Sequence, residues 1–334
     1  MCRRIASSLA GFTRRSAQEL RAATVSADLV CVVSPRNSGW VLESIARSLV
    51  HDLPGEGLVH FGVAEIPSAR AVYYTHYSLW MDALRTNSHP PGAKSIVFFT
   101  HPGHRARRWP AVVIALNRAT RVFSMSSVHA RLLRRAGVRP SRLRVEIPGV
   151  DDRMFSPHER TGHGAVLVSS AYYARKAGEK WVEVARSLPH RHFVVVGRGW
   201  GSSPLGNDIR SLTNVELLDG VDYSRYPAIY AGCDVFLSTS TLEGGPMPLL
   251  EAMMSNVFPV ASATGFGPDV VDHGRTGLLF KVRARPHEIV PLVEEAFEST
   301  FRVRSGVEHL TPARYASAVW SEIEDRQGRA ADGC

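Results

Sequence analysis

Short apolar runs separated by amphipathic stretches recur along the whole chain of 334 residues. Asp28–Ser34 (DLVCVVS) has too few residues for a stable helix and lacks the alternation of a one-sided strand, so it reads as a strand buried on both faces of a parallel sheet. A turn at Pro35–Gly39 and a helix from about Trp40 to Asp52 follow it. The same pattern predicts strands at Ala71–Tyr74, Ser95–Thr100, Arg121–Met125 and Leu143–Ile147. Further on it predicts them at Ala165–Ser169, Arg191–Val196, Val215–Leu218, Val235–Ser238, Val257–Ala261 and Gly277–Phe280. Strands alternating with helical segments imply a doubly wound α/β fold. The pattern breaks at Pro148, Gly149 and Val150 and over the polar stretch Ser156–Gly164, which predicts one domain over 1–150 and a second over 151–311. Tyr315, Val319 and Ile323 recur at helical spacing after Pro312, so residues 312–334 are expected to form a terminal helix packing back across both domains.

Composition narrows the class. Hydrophobic residues make up 44% and charged residues 21%, which suits two buried cores. Apolar runs such as Val112–Leu116 fall far short of the roughly 20 residues that span a bilayer. Cys2, Cys31, Cys233 and Cys334 form neither a CxxC pair nor a dense disulfide pattern, so a cytoplasmic setting is expected, with neither disulfides nor structural zinc. The N-terminus carries Arg3, Arg4, Arg14 and Arg15 beside Ile5, Leu9 and Phe12 at helical spacing, and has no secretory apolar core.

Charge is unevenly distributed. Residues 1–150 hold 21 Lys/Arg against 8 Asp/Glu, whereas residues 151–334 hold 19 against 23. From Ala83 to Val145 there are 13 basic residues and no carboxylate, with His104, Arg105, Arg107 and Arg108 clustered. Such a surface attracts anions, and the expected partner is an anionic membrane or a phosphate-bearing acceptor. A basic solvated face accounts for the same residues equally well.

The segment STSTLEGGPMPLLEAM, from Ser238, runs from a strand through a glycine turn into a helix. A helix N-terminus presents unpaired N–H groups and a partial positive charge, so a diphosphate is stabilised there without a metal. Gly244 and Gly245 allow close backbone approach, while Glu243 and Glu251 bracket the turn with carboxylates suited to sugar and ribose hydroxyls. Taken singly, Glu243 also fits a capping acid and Glu251 a solvated helix residue; the combination favours a ligand.

With two glutamates separated by seven residues around a Gly- and Pro-containing turn, the chain resembles the family 4 retaining glycosyltransferases of GT-B fold. PGVDDRMFSP from Pro148 and GFGPDVVDHGRTGLLF from Gly265 extend the resemblance over most of residues 120–325. It implies two Rossmann-like domains facing a cleft, a nucleotide-sugar donor, a carbohydrate or glycolipid acceptor, retention of configuration, and no metal or other cofactor. By position, Glu243 would face the donor sugar and Glu251 the ribose. Because Pro246 and Pro248 lack an N–H, Met247 and Leu249 would supply amides. The family's basic pair falls on Arg175 and Lys176, although its earlier arginine position holds Ser170 or Ala171, and Ala177 intervenes before Gly178. Gly197, with Arg198 and Gly199, resembles the nucleotide-side turn; His101 resembles the cleft histidine; Gly39 is a further cleft candidate.

Two other readings share these residues. A nucleotide-sugar epimerase or hydrolase of the same fold would turn over donor without acceptor. A non-catalytic basic protein binding membrane or nucleic acid would explain the first half but leave Glu243 and Glu251 without a purpose.

Overall fold

The computed structural model describes residues 27–102 and 109–325. The arginine-rich N-terminus, Cys2, Cys334 and the cluster from His104 to Arg108 lie outside the described residues.

The chain builds two six-stranded parallel sheets in succession. The first comprises β1 (Ala27–Val33), α1 (Val41–His51), β2 (Gly57–Phe61), β3 (Ala69–Tyr74), α2 (Tyr77–Thr86), β4 (Lys94–Phe99), α3 (Trp109–Arg118), β5 (Arg121–Ser124), α4 (Ser127–Arg135) and β6 (Leu143–Val145). The second comprises β7 (Ala165–Ser169), α5 (Gly178–Ser187), β8 (Phe193–Gly197), α6 (Gly206–Ser211), β9 (Val215–Asp219), α7 (Tyr226–Ala231) and β10 (Cys233–Ser238). It continues through α8 (Met247–Met254), β11 (Phe258–Ser262), α9 (Gly267–Val270), β12 (Leu278–Phe280) and α10 (Pro286–Glu298), and α11 (Pro312–Glu324) closes the described chain.

Strand order is β2-β1-β3-β4-β5-β6 in the first sheet and β9-β8-β7-β10-β11-β12 in the second. The second order is that of a dinucleotide-binding sheet, whose direction of winding reverses between β7 and β10; ligands of such sheets bind at the carboxyl ends of those strands. Along β1, Leu29, Cys31 and Val33 enter one apolar cluster while Val30 and Val32 enter another, which is why the run is apolar throughout. The first of these clusters also takes Ala165 and Leu167 of β7, so it continues from one sheet to the other.

The sequence pattern misses β2. Leu58 and Val59 are its main apolar residues, it lies at the sheet edge, and it is only half-buried. β8 begins at Phe193 rather than Arg191, whose guanidinium stacks 3.9 Å from the Phe297 ring and pairs with Glu294.

The chain passes between the sheets twice, and the two passages touch. The Val150 N–H donates to the Leu310 carbonyl at 3.0 Å, and a Cβ on Gly149 would lie 1.9 Å from the Thr311 carbonyl carbon. After the second passage α11 docks on the first domain. Tyr315 and Tyr73 share a phenol–phenol hydrogen bond of 2.7 Å, Arg314 pairs with Glu146 at 2.9 Å, and Glu322 accepts from Arg121 at 2.8 Å and Arg144 at 3.2 Å. Lys94 donates to the carbonyls of Glu322, Ile323 and Asp325. The acid-free stretch is therefore partly neutralised by carboxylates and carbonyls far along the chain.

Cys31 and Cys233 are buried free thiols; burial pushes Cys233 up to about 12. Among the described residues no helix is long and apolar enough to cross a membrane.

Candidate functional site

At the reversal point, the end of β10 leads through Thr239 and Ser240 to Glu243, and the end of β7 leads to the short turn Ala174–Lys176. These segments converge on Glu243, which is only 4% exposed. Lys176 Nζ donates to its Oε1 at 2.5 Å, Arg175 Nη1 to its Oε2 at 2.9 Å, and Ser240 Oγ to Oε1 at 2.6 Å. The Glu243 N–H in turn donates to Thr264 Oγ1 at 3.2 Å. Burial alone would raise the Glu243 pKa, but the Lys176 and Arg175 charges outweigh it and hold the carboxyl below its usual range. Arg175 and Lys176 thus stand together at the ligand end of the sheet, turned onto Glu243.

Ala177, the residue that interrupts the basic motif, takes the left-handed conformation (φ 47°, ψ 52°) between that turn and α5. It occupies the bend that aims Lys176 back at the strand ends.

Gly244 and Gly245 have a different role from that expected. Instead of leaving space for a ligand, they admit the first domain: a Cβ on Gly244 would lie 2.5 Å from the Thr100 carbonyl oxygen, and one on Gly245 2.5 Å from Met125 Cε and 2.3 Å from Phe266. His101, directly after Thr100, is thereby brought to the cleft beside this turn. The expected pair of amides is reduced, because the Leu249 N–H donates to the Pro246 carbonyl at 2.8 Å, which leaves Met247 at the start of α8.

Nearly every side of α8 is buried, and Glu251, 5% exposed, is the acid inside it. The Tyr223 phenol donates to Glu251 Oε1 at 2.6 Å and the Tyr230 phenol to Oε2 at 2.8 Å. Burial raises the Glu251 pKa, and these two hydrogen bonds only partly offset it. Glu251 and Tyr223 line a cavity of about 160 Å³ between the domains, bounded by Ser44 and Ser48 of α1 and by Asp151 and Met154.

Gly197 has φ 152°, and a Cβ there would lie 1.9 Å from the Ser170 carbonyl oxygen, so the close approach at this turn is to the backbone after β7. Gly39 has φ 73° and open space around it, its N–H donating to Glu43 at 2.7 Å. The next residue, Trp40, reaches the second domain: its ring lies 5.4 Å from the Arg198 guanidinium and 6.4 Å from the Tyr173 ring. The Arg175 guanidinium lies 5.2 Å from the Tyr173 ring.

On the first-domain side His101 has two histidine neighbours that sequence reasoning missed. The His76 ring lies 6.4 Å from it, and His129 Nδ1 meets Ser126 Oγ at 3.0 Å. Burial, then the proximity of His101, takes both His76 and His129 down to about 4. Ser240, Thr264, Tyr223 and Tyr230 were likewise missed. Of these, only Ser240 lies within the motif that drew attention; the others come from loops and helices whose proximity is set by the fold.

Comparisons with known proteins bear on the second domain and on the fold. Residues 151–306 match the family described as Glycosyl transferases group 1. The chain is 23% identical to sulfoquinovosyl transferase SQD2 of Arabidopsis thaliana, over 87% of this chain and 61% of that protein. It is 28% identical to one subunit of the phosphatidylinositol N-acetylglucosaminyltransferase of Arabidopsis thaliana, over 48% of this chain and 38% of that one. The chain therefore spans less than two thirds of the length of these curated relatives. Among solved structures, Anabaena HepE in complex with UDP and glucose superposes with a TM-score of 0.67 at 17% identity, covering 88% of this chain and 95% of that one. The lipopolysaccharide outer core galactosyltransferase WaaB superposes with a TM-score of 0.68 at 14% identity, covering 88% and 99%. The two six-stranded sheets with flanking helices form the GT-B fold.

Proposed function

We propose that the protein is a retaining hexosyltransferase of family 4 type that moves a sugar from a nucleoside diphosphate to an acceptor held by the first domain. The carrying observation is the convergence of Arg175, Lys176 and Glu243 at the reversal point of the second sheet, next to the start of α8. A diphosphate entering there would take the two cations from Glu243, and they would stabilise the charge that develops as the sugar–phosphate bond breaks. The charge compensation needs no metal. Freed of its ion pairs, the Glu243 carboxylate would accept hydrogen bonds from donor-sugar hydroxyls, while Glu251 would accept from the ribose. Met247 would supply an amide to the donor, and His101 would meet the sugar from across the cleft. Gly39 and Gly197 would shape the cleft walls. The solved UDP and UDP-glucose complexes of HepE make UDP-sugars the first donors to test.

The acceptor side follows from charge. Lys94, Arg121, Arg142 and Arg144 are engaged within the protein, but α3 and α4 still present Arg118, Arg131, Arg134 and Arg135, together with exposed Ile114 and Leu132. This surface fits an anionic glycan or lipid acceptor, and peripheral attachment at a cytoplasmic membrane face.

Proton NMR of donor turnover tests the reading. A new glycoside with the anomeric configuration of the donor, formed only with acceptor present and slowed about 100-fold in kcat by Glu243→Gln, is the expected result. Equal donor turnover without any acceptor would instead identify an epimerase or hydrolase. Sedimentation with vesicles containing anionic lipid should retain the protein at low salt and release it as salt rises; equal binding to neutral vesicles contradicts the membrane assignment.

A further inference from the structure

Resting on the donor reading, we infer that Tyr223 is a displaceable stand-in for a ribose hydroxyl and so sets both affinity and ribose selectivity at Glu251.

Glu251 is held by two tyrosines of unlike character. Tyr230 is fully buried, its phenol donating to Glu251 while its oxygen lies 2.9 Å from Ser169 Oγ, and its ring lies edge-on to Phe155 at 5.3 Å. It is part of the apolar core and cannot leave without disrupting it. Tyr223 is 47% exposed and stands in a short turn, Tyr223–Arg225, capped by the Asp222 carboxylate accepting from Ser224. Its ring meets Phe155 at 6.1 Å and Tyr226 at 5.0 Å, yet the phenol points inward to the carboxylate. One partner is locked in the core; the other stands half-exposed at the surface.

An ionised carboxylate offers about four lone-pair sites, but burial restricts which can be reached. With Glu251 only 5% exposed and Tyr230 immovable, Oε1 is the oxygen a ligand can claim, and the Tyr223 phenol stands on it. A ribose hydroxyl arriving there would exchange one O–H donor for another. The carboxylate stays satisfied throughout, so its buried charge is never left bare. The cavity beside both residues supplies the space into which the ligand comes. A nucleoside without ribose hydroxyls has nothing to put in place of the phenol.

Tyr223→Phe keeps the ring and removes the competing hydroxyl. Isothermal titration of UDP, GDP and ADP into the wild-type protein and this variant should show the preferred nucleotide bound about ten- to a hundredfold more tightly by the variant, as one hydrogen bond to a charged group predicts. The corresponding 2′,3′-dideoxynucleoside diphosphate should bind both proteins equally. Binding by the variant that is equal to or weaker than wild type overturns the inference while leaving the donor reading standing, because Tyr223 would then be neutral or a direct contact. Absence of binding to either protein, with both shown folded by circular dichroism, overturns the donor reading and the inference with it.

Discussion

Glu243 and Glu251 lie on one short segment, but their surroundings drive their proton affinities apart. Both are desolvated; two cations overcome that penalty at Glu243, whereas two neutral phenols fail to overcome it at Glu251. The spacing of the glutamates is visible in the sequence. Their partners are not, because the tyrosines that hold Glu251 are 28 and 21 residues away, on separate elements, with no periodicity to flag them. The histidines carry a consequence for stability. His76 and His129 titrate near 4 when folded, against 6.5 when exposed, so between those values the unfolded chain binds protons that the folded one refuses. Stability that is complete above about pH 6.5 should therefore decline as pH falls toward 4. Thermal unfolding followed across that window checks it, and His76→Asn combined with His129→Asn should flatten the decline.

Among the elements, the buried strands are the most legible, since continuous apolar runs have few alternatives in an α/β chain. The edge strand β2 escapes because half-burial leaves no such run. The acid-free stretch is legible as composition but misleading as surface, because Glu322 on α11 returns to neutralise Arg121 and Arg144. Glu322 is 7% exposed, so Glu322→Ala should leave the partly buried Arg121 guanidinium without a carboxylate, while Arg144 keeps its pair with Glu146. A loss of about 2 kcal/mol in urea unfolding is expected, less than breaking a fully buried pair costs, because Arg121 remains partly solvated and Arg144 keeps a second carboxylate.

At the scale of the whole molecule, the two domains meet where the ends of β4 and β5 touch the glycine turn before α8, and Ser127 donates its N–H to Asp269 at 2.9 Å nearby. In the sequence the two glycines signal room for a ligand, yet their lack of a side chain serves domain contact first. Gly244→Ala would set a Cβ 2.5 Å from the Thr100 carbonyl oxygen and hold the cleft apart. Small-angle scattering should show a larger radius of gyration with unchanged circular dichroism, and transfer should slow because His101 is withdrawn from the turn.

The central claim is that the second domain binds a nucleoside diphosphate sugar between Arg175, Lys176 and the two glutamates. Thermal shift with UDP-, GDP-, ADP- and TDP-sugars, comparing wild type with Glu251→Gln and Lys176→Ala, tests it most directly, since a ligand specific to the folded state raises its melting temperature by mass action. A selective rise with one donor, lost or reduced in both variants, is the predicted result. A rise that persists unchanged in both variants, or no rise with any donor, would contradict the claim.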